Sequence, residues 1–179
     1  DWCGWSKKME RETLADLAVQ KELRSFVLIR LNPEVSDKNQ KIAESFGVVG
    51  VFCVELFVLA DGQVWVNEIA PRPHNSGHLT IEGHVTSQFE QQVRCLCGFR
   101  VGSAALVRPV AMANLLGDRW QNGEPAWERL ADQYPDVQWH LYGKTEARVG
   151  RKMGHLTVTE ESAAAAVAKV VAARTALTR

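Results

Sequence analysis

Residues 67–78, Asn-Glu-Ile-Ala-Pro-Arg-Pro-His-Asn-Ser-Gly-His, concentrate more chemistry than any other stretch of this chain. An acid, an arginine, two histidines, two asparagines and a serine are set around two prolines and a glycine, a set that suits a loop built to grip a ligand. Pro71 and Pro73 restrict the backbone on either side of Arg72, so its guanidinium has little entropy left to lose on meeting an anion. Just upstream, residues 49–59 and 63–69 are β-branched and aromatic runs joined through Asp61-Gly62, a strong hairpin signal. A two-residue turn pairs Ala60 with Gln63 and, further along the strands, Glu55 with Glu68. Like charges at facing positions repel. A bound Mg2+ would relieve them, since that ion is typically held by one or two carboxylates plus substrate phosphates. Two other readings stay open: both acids lie on a wet face, or a bulge breaks the register.

A second group is basic: Lys144, Arg148, Arg151 and Lys152 lie close together, with Glu146 opposing them. Such a run is either a solvated face or a phosphate site, and Gly150 and Gly154 allow a ligand to approach the backbone closely. His74 and His78 have the spacing of a helical metal pair, but Pro73 and Gly77 argue against a regular helix there. His78 reads better as a hydrogen-bonded latch of the loop.

The segments Gly50-Val-Phe-Cys-Val-Glu-Leu-Phe-Val58, 67–78, Tyr142-Gly-Lys144 and Gly150-Arg-Lys-Met-Gly-His155 resemble the C-terminal half of 5-(carboxyamino)imidazole ribonucleotide synthase, an ATP-grasp ligase of purine biosynthesis. The likeness runs from about residue 42 to the C-terminus; residues 1–40 match nothing in that family, and its preceding nucleotide-binding half is not seen. The resemblance implies an α/β fold of the α+β type: part of an ATP-grasp domain with a mixed or antiparallel sheet, and a small C-terminal β-rich subdomain. It implies ATP and Mg2+ as cofactors, and carboxylation of 5-aminoimidazole ribonucleotide by bicarbonate through carboxyphosphate. Glu55 and Glu68 align with the family's magnesium ligands, and Asn67 joins them on the nucleotide side. An Asn that also binds metal in some other ATP-grasp ligases is replaced here by Ala70. By the same likeness Arg72 and His74 contact the carboxyphosphate, Asn75 and Ser76 the substrate, and Lys144, Arg151 and Lys152 the ribonucleotide 5′-phosphate.

Two alternatives accompany this reading. One is a non-catalytic binding or assembly module, forming a homo-oligomer or pairing with a chain that supplies the missing half. The other is a related ATP-grasp carboxylase or formyl-transferring ligase, which residues 150–155 fit less well.

Composition is that of an ordinary globule: 179 residues, 46% apolar, formal net charge zero. No overall basic excess points to nucleic acid, and no run approaches a membrane span or a signal peptide. Cys3, Cys53, Cys95 and Cys97 form no Cys-x-x-Cys pair and read as reduced thiols, which with the rest makes the cytoplasm the default compartment.

The elements expected to position these groups follow from local signals. Residues 7–24 form a surface helix, 25–31 a short strand, and 36–46 a helix closed by Gly47. Ser87-Gln-Phe-Glu90 is a capping box that starts a helix running to Cys97, with Gly98 as its stop. Pro109 marks 107–116 as an edge strand, strands follow around 137–142 and 155–158, and an Ala-rich helix begins at Glu160. The domain division expected is an N-terminal segment 1–40, an ATP-grasp part 41–98 and a C-terminal subdomain 99–179.

Overall fold

The structure is a computed structural model that describes residues 47, 49–59 and 61–178 and the backbone of 23–29. It divides into two compact units, residues 1–74 and 75–179. Residues 7–22 of the helix expected over 7–24, and the whole of that expected over 36–46, lie outside the described residues. Gly47 lies in the left-handed region at φ +59°.

The first unit holds a three-stranded antiparallel sheet in the order β1 (Leu23–Ile29), β2 (Cys53–Leu59), β3 (Val64–Ala70). β1 begins two residues earlier than the apolar run suggested, so the first helix cannot reach Arg24. The hairpin turn is wider than the sequence suggests, for it closes with Leu59 N–H donating to the Gln63 carbonyl at 2.9 Å. Gly62 sits at φ +85°, and Asp61 accepts from the Gln63 N–H at 2.9 Å. Near the turn Val58 therefore faces Val64 and Leu56 faces Val66, one residue off the two-residue register. A bulge then inserts Asn67 opposite β2, and beyond it Glu55 faces Glu68, as expected. The wider turn and the bulge offset one another.

The second unit is built on a sheet ordered β4 (Val110–Leu116), β6 (Lys152–Thr159), β5 (Gln138–Leu141), again antiparallel. β4 is an edge strand starting just after Pro109, where the missing N–H costs no ladder bond. One sheet face, carrying Ala111, Ala113, Leu115, Leu156 and Val158, packs on Ala166, Val170 and Ala173 of α4 (Ala163–Ala176) and Leu130 of α3 (Trp127–Gln133). Helix α4 starts later than Glu160, because the Ser162 hydroxyl caps it by accepting from the Ala165 N–H.

The opposite face is polar. Alternation along β6 turns His155 and Thr157 away from Leu156 and Val158, and both are buried. Short α1 (Thr80–Gly83) and α2 (Gln88–Leu96) precede this sheet in the same unit. α2 has the expected Ser87 cap and Gly98 stop. Glu82 of α1 bonds His140 of β5 at 2.7 Å, which ties residues 75–98 to the second unit. By its contacts the chain divides after His74.

Candidate active site: a carboxylate pair and a basic loop

In the first unit, Glu55 and Glu68 face each other on β2 and β3, and His74 follows just past the end of β3. One ligand atom from each of the three lies within 4.8 Å of the other two. Among the described residues this is the one group of His, Cys, Asp and Glu side chains placed to hold a cation. Both Glu55 oxygens are engaged: Oε1 lies 2.8 Å from His74 Nε2, and Oε2 accepts from Asn67 Nδ2 at 2.9 Å. The bulge makes the second contact possible. In an unbroken strand Asn67 and Glu68 would point to opposite faces, whereas a bulge puts two consecutive residues against one partner. The site is half-buried, with the His74 side chain 13% exposed. Two carboxylates form a hard-oxygen set that suits Mg2+, and an imidazole that bonds a carboxylate suits the outer role of orienting a ligand.

The rest of the loop is placed as follows. Arg72 is exposed, its N–H closes a tight turn onto the Ala70 carbonyl at 2.9 Å, and Nη1 donates to the Pro73 carbonyl. Asn75 and Ser76 open a 3-10 turn in the second unit, so His74 and His78 do not share an α-helix. The Asn75 Oδ1 atom is buried with no hydrogen-bond partner. His78 is latched by Gln88 Nε2 at 2.9 Å.

The basic group also gathers, within the second unit. Lys144 Nζ donates to the Lys152 carbonyl at 2.6 Å, and Arg151 Nη1 to the Glu146 carbonyl at 2.9 Å. Arg148 Nε lies 3.6 Å from the Glu146 carboxylate in an exposed pair. Gly117 N–H holds the Arg151 carbonyl at 2.8 Å, and Gly150 turns at φ +74° with its N–H on Asp118.

Beneath this loop lies a feature that the sequence reading missed. His155 stacks on His140 with centroids 4.5 Å apart and on His78 at 5.0 Å, and Tyr142 Oη meets its Nδ1 at 2.9 Å. Burial, reinforced by the neighbouring His140 and His78, pushes the His155 pKa down to about 4, so the ring is neutral at ordinary pH. Burial likewise raises the Tyr142 phenol above its usual value. The available signal was the alternation of polar His155 and Thr157 with apolar Leu156 and Val158. Nothing in the spacing pointed to Glu82 or His140.

Residues 15–89 match the ATP-grasp domain, and residues 110–169 the phosphoribosylaminoimidazole carboxylase C-terminal domain. The N5-carboxyaminoimidazole ribonucleotide synthase of Bacillus subtilis is 42% identical over 131 residues, which are 73% of this chain and 33% of that protein. The ATPase subunit of phosphoribosylaminoimidazole carboxylase from Aquifex aeolicus superposes with a TM-score of 0.69 at 36% identity, over 86% of this chain and 46% of that one. The Aspergillus clavatus N5-carboxyaminoimidazole synthase, solved with ADP and 5-aminoimidazole ribonucleotide, gives 0.63 at 30% identity, over 85% and 43%. The family match and the shared fold make this an ATP-grasp protein. Within that class the chain belongs to the N5-carboxyaminoimidazole ribonucleotide synthase family. It spans about a third of the length of the Bacillus relative. The ATP-grasp match starts at residue 15, inside the segment 1–40 that the sequence reading left unmatched. The pairing of β1 with β2 explains why: that stretch supplies a strand of the same sheet.

Among the described residues, no helix is long and apolar enough to cross a membrane.

Proposed function

We propose that this chain contributes the metal-holding and phosphate-gripping parts of an ATP-dependent carboxylation of 5-aminoimidazole ribonucleotide. The observation that carries the reading is the register: Glu55 faces Glu68, with Asn67 and His74 both bonded to Glu55. Glu55 and Glu68 would hold Mg2+, which when bound neutralises phosphate charge during phosphoryl transfer. Asn67 and His74 keep the Glu55 carboxylate oriented for that duty.

Bicarbonate takes the γ-phosphoryl group of ATP and releases ADP. The substrate amine then bonds the carboxyl carbon, phosphate leaves, and the nitrogen loses a proton. Arg72 and His74 are the donors assigned to the carboxyphosphate, with Asn75 and Ser76 beside the substrate. Lys144, Arg151 and Lys152 take the ribonucleotide 5′-phosphate, each charge-assisted bond contributing about 1.5–3 kcal/mol. The relative solved with ADP and 5-aminoimidazole ribonucleotide supports this pair of ligands.

The test separates the two halves of the site. Glu68→Gln is expected to abolish binding of Mn2+, used as a paramagnetic stand-in and read by electron paramagnetic resonance, and to leave circular dichroism unchanged. Lys144→Ala and Arg151→Ala are expected to weaken binding of the ribonucleotide and not of the metal. Equal loss of both ligands in all three variants would reject the assignment.

A further inference from the structure

Lys144 is exposed at the end of a flexible stem, and an exposed lysine ordinarily samples many rotamers. Here its ammonium has a defined place: it bonds the Lys152 carbonyl and lies 5.5 Å from the centroid of the Tyr142 ring. Tyr142 is itself held at two points, one on the main chain and one on the ring. Its backbone N–H donates to the Met153 carbonyl at 2.9 Å, and its Oη meets His155 Nδ1 at 2.9 Å. His155 is 2% exposed and its ring is stacked between those of His140 and His78.

We propose that His155 is a positioning residue for the phosphate site: from inside the sheet it holds the Tyr142 phenol, and the phenol ring holds the Lys144 ammonium. The inference rests on the reading of Lys144 as a phosphate ligand. Filling the space and stacking on His140 and His78 do not by themselves require a hydrogen-bonding ring at this position. Leucine or valine would fill the same space, as Leu156 and Val158 do on the other face, and would not leave the buried Nε2 of His155 without a partner. An unsatisfied buried polar atom is unfavourable. What the imidazole adds is Nδ1, a hydrogen-bonding atom in a place water does not reach. Tyr142 can use it across the neutral range, because the ring does not take a proton until well below that range.

The test uses the 179-residue chain and the variants His155→Leu, His155→Asn, Tyr142→Phe and Lys144→Ala. Two quantities are read: the acetylation rate of Lys144 with acetic anhydride, resolved by mass spectrometry, and the affinity for ribose 5-phosphate by NMR titration. His155→Leu and Tyr142→Phe are expected to speed acetylation of Lys144 and weaken ribose 5-phosphate, each about fivefold, the factor carried by one lost hydrogen bond of about 1 kcal/mol. His155→Asn, whose amide can meet the phenol from the Nδ1 position, should restore both. Lys144→Ala separates the two readings. If it binds ribose 5-phosphate as tightly as the parent, the phosphate assignment fails, and the acetylation rates still decide whether His155 and Tyr142 hold Lys144. Should His155→Leu not fold, Tyr142→Phe decides, since it removes a single oxygen from a half-buried ring. An unchanged Lys144 acetylation rate in folded Tyr142→Phe overturns the proposal.

Discussion

His155 is a base kept neutral by its surroundings, and that has a consequence for stability. Its folded pKa is about 4 against an ordinary 6.5, so between those values the unfolded chain binds a proton that the folded chain does not. Stability from this group is complete above about pH 6.5 and is lost as pH falls toward 4, by about 3 kcal/mol in all. Urea unfolding at pH 7 and at pH 4.5 should show this slope, and His155→Asn should flatten it. Asp136 shifts in the usual acid direction, its pKa lowered first by the hydrogen bond from Lys169, which also reaches Glu160. Exposed pairs of this kind contribute little, so His155 should dominate the acid limb.

At the scale of the element, the β2–β3 hairpin carries the argument. Gly62 turns at φ +85°, where any other L-residue is strained. Gly62→Ala should destabilise the hairpin by about 1–2 kcal/mol, measured by hydrogen exchange at the Gln63 and Val64 amides. Asn67→Ala is expected to behave differently. The bulge is a backbone feature and should persist, but Glu55 loses the amide on Oε2. Such outer-sphere losses weaken metal affinity about tenfold or more, so Mn2+ binding should drop while unfolding midpoints stay nearly unchanged. A parallel loss of stability and affinity would mean that Asn67 shapes the strand and not the carboxylate.

For the molecule as a whole, the hydrophobic cluster described between sheet and helices lies in the second unit, and that unit should respond most to truncation. Leu130 is 1% exposed in that cluster, where Trp120 and Trp127 pack against it. Leu130→Ala should cost about 2–5 kcal/mol, read from the fluorescence of those indoles during urea unfolding. Val64→Ala, on the exposed strand β3, should stay within about 0.5 kcal/mol. A Leu130→Ala cost below that of Val64→Ala would show that this cluster does not set stability.

Features that depend on neighbours along the chain were legible in the residues. Ser87 with Glu90 started α2, Gly98 ended it, Pro109 placed β4 at an edge, and Asp61-Gly62 made the hairpin. The spacing also put Glu55 opposite Glu68, although by a two-residue turn that the protein does not use. The count came out right because the wider turn and the bulge cancel, and neither has a signature in local residue type. That Asn67 and His74 both bond Glu55 was not legible in the residues, since it depends on how the bulge and the loop after β3 are aimed. The same holds for His78, Glu82, His140 and His155, which come from three separate segments. Period-two alternation says that His155 leaves the face of Leu156, but what meets it there is fixed by strand order and chain crossing. Those are long-range choices, and residue spacing does not encode them.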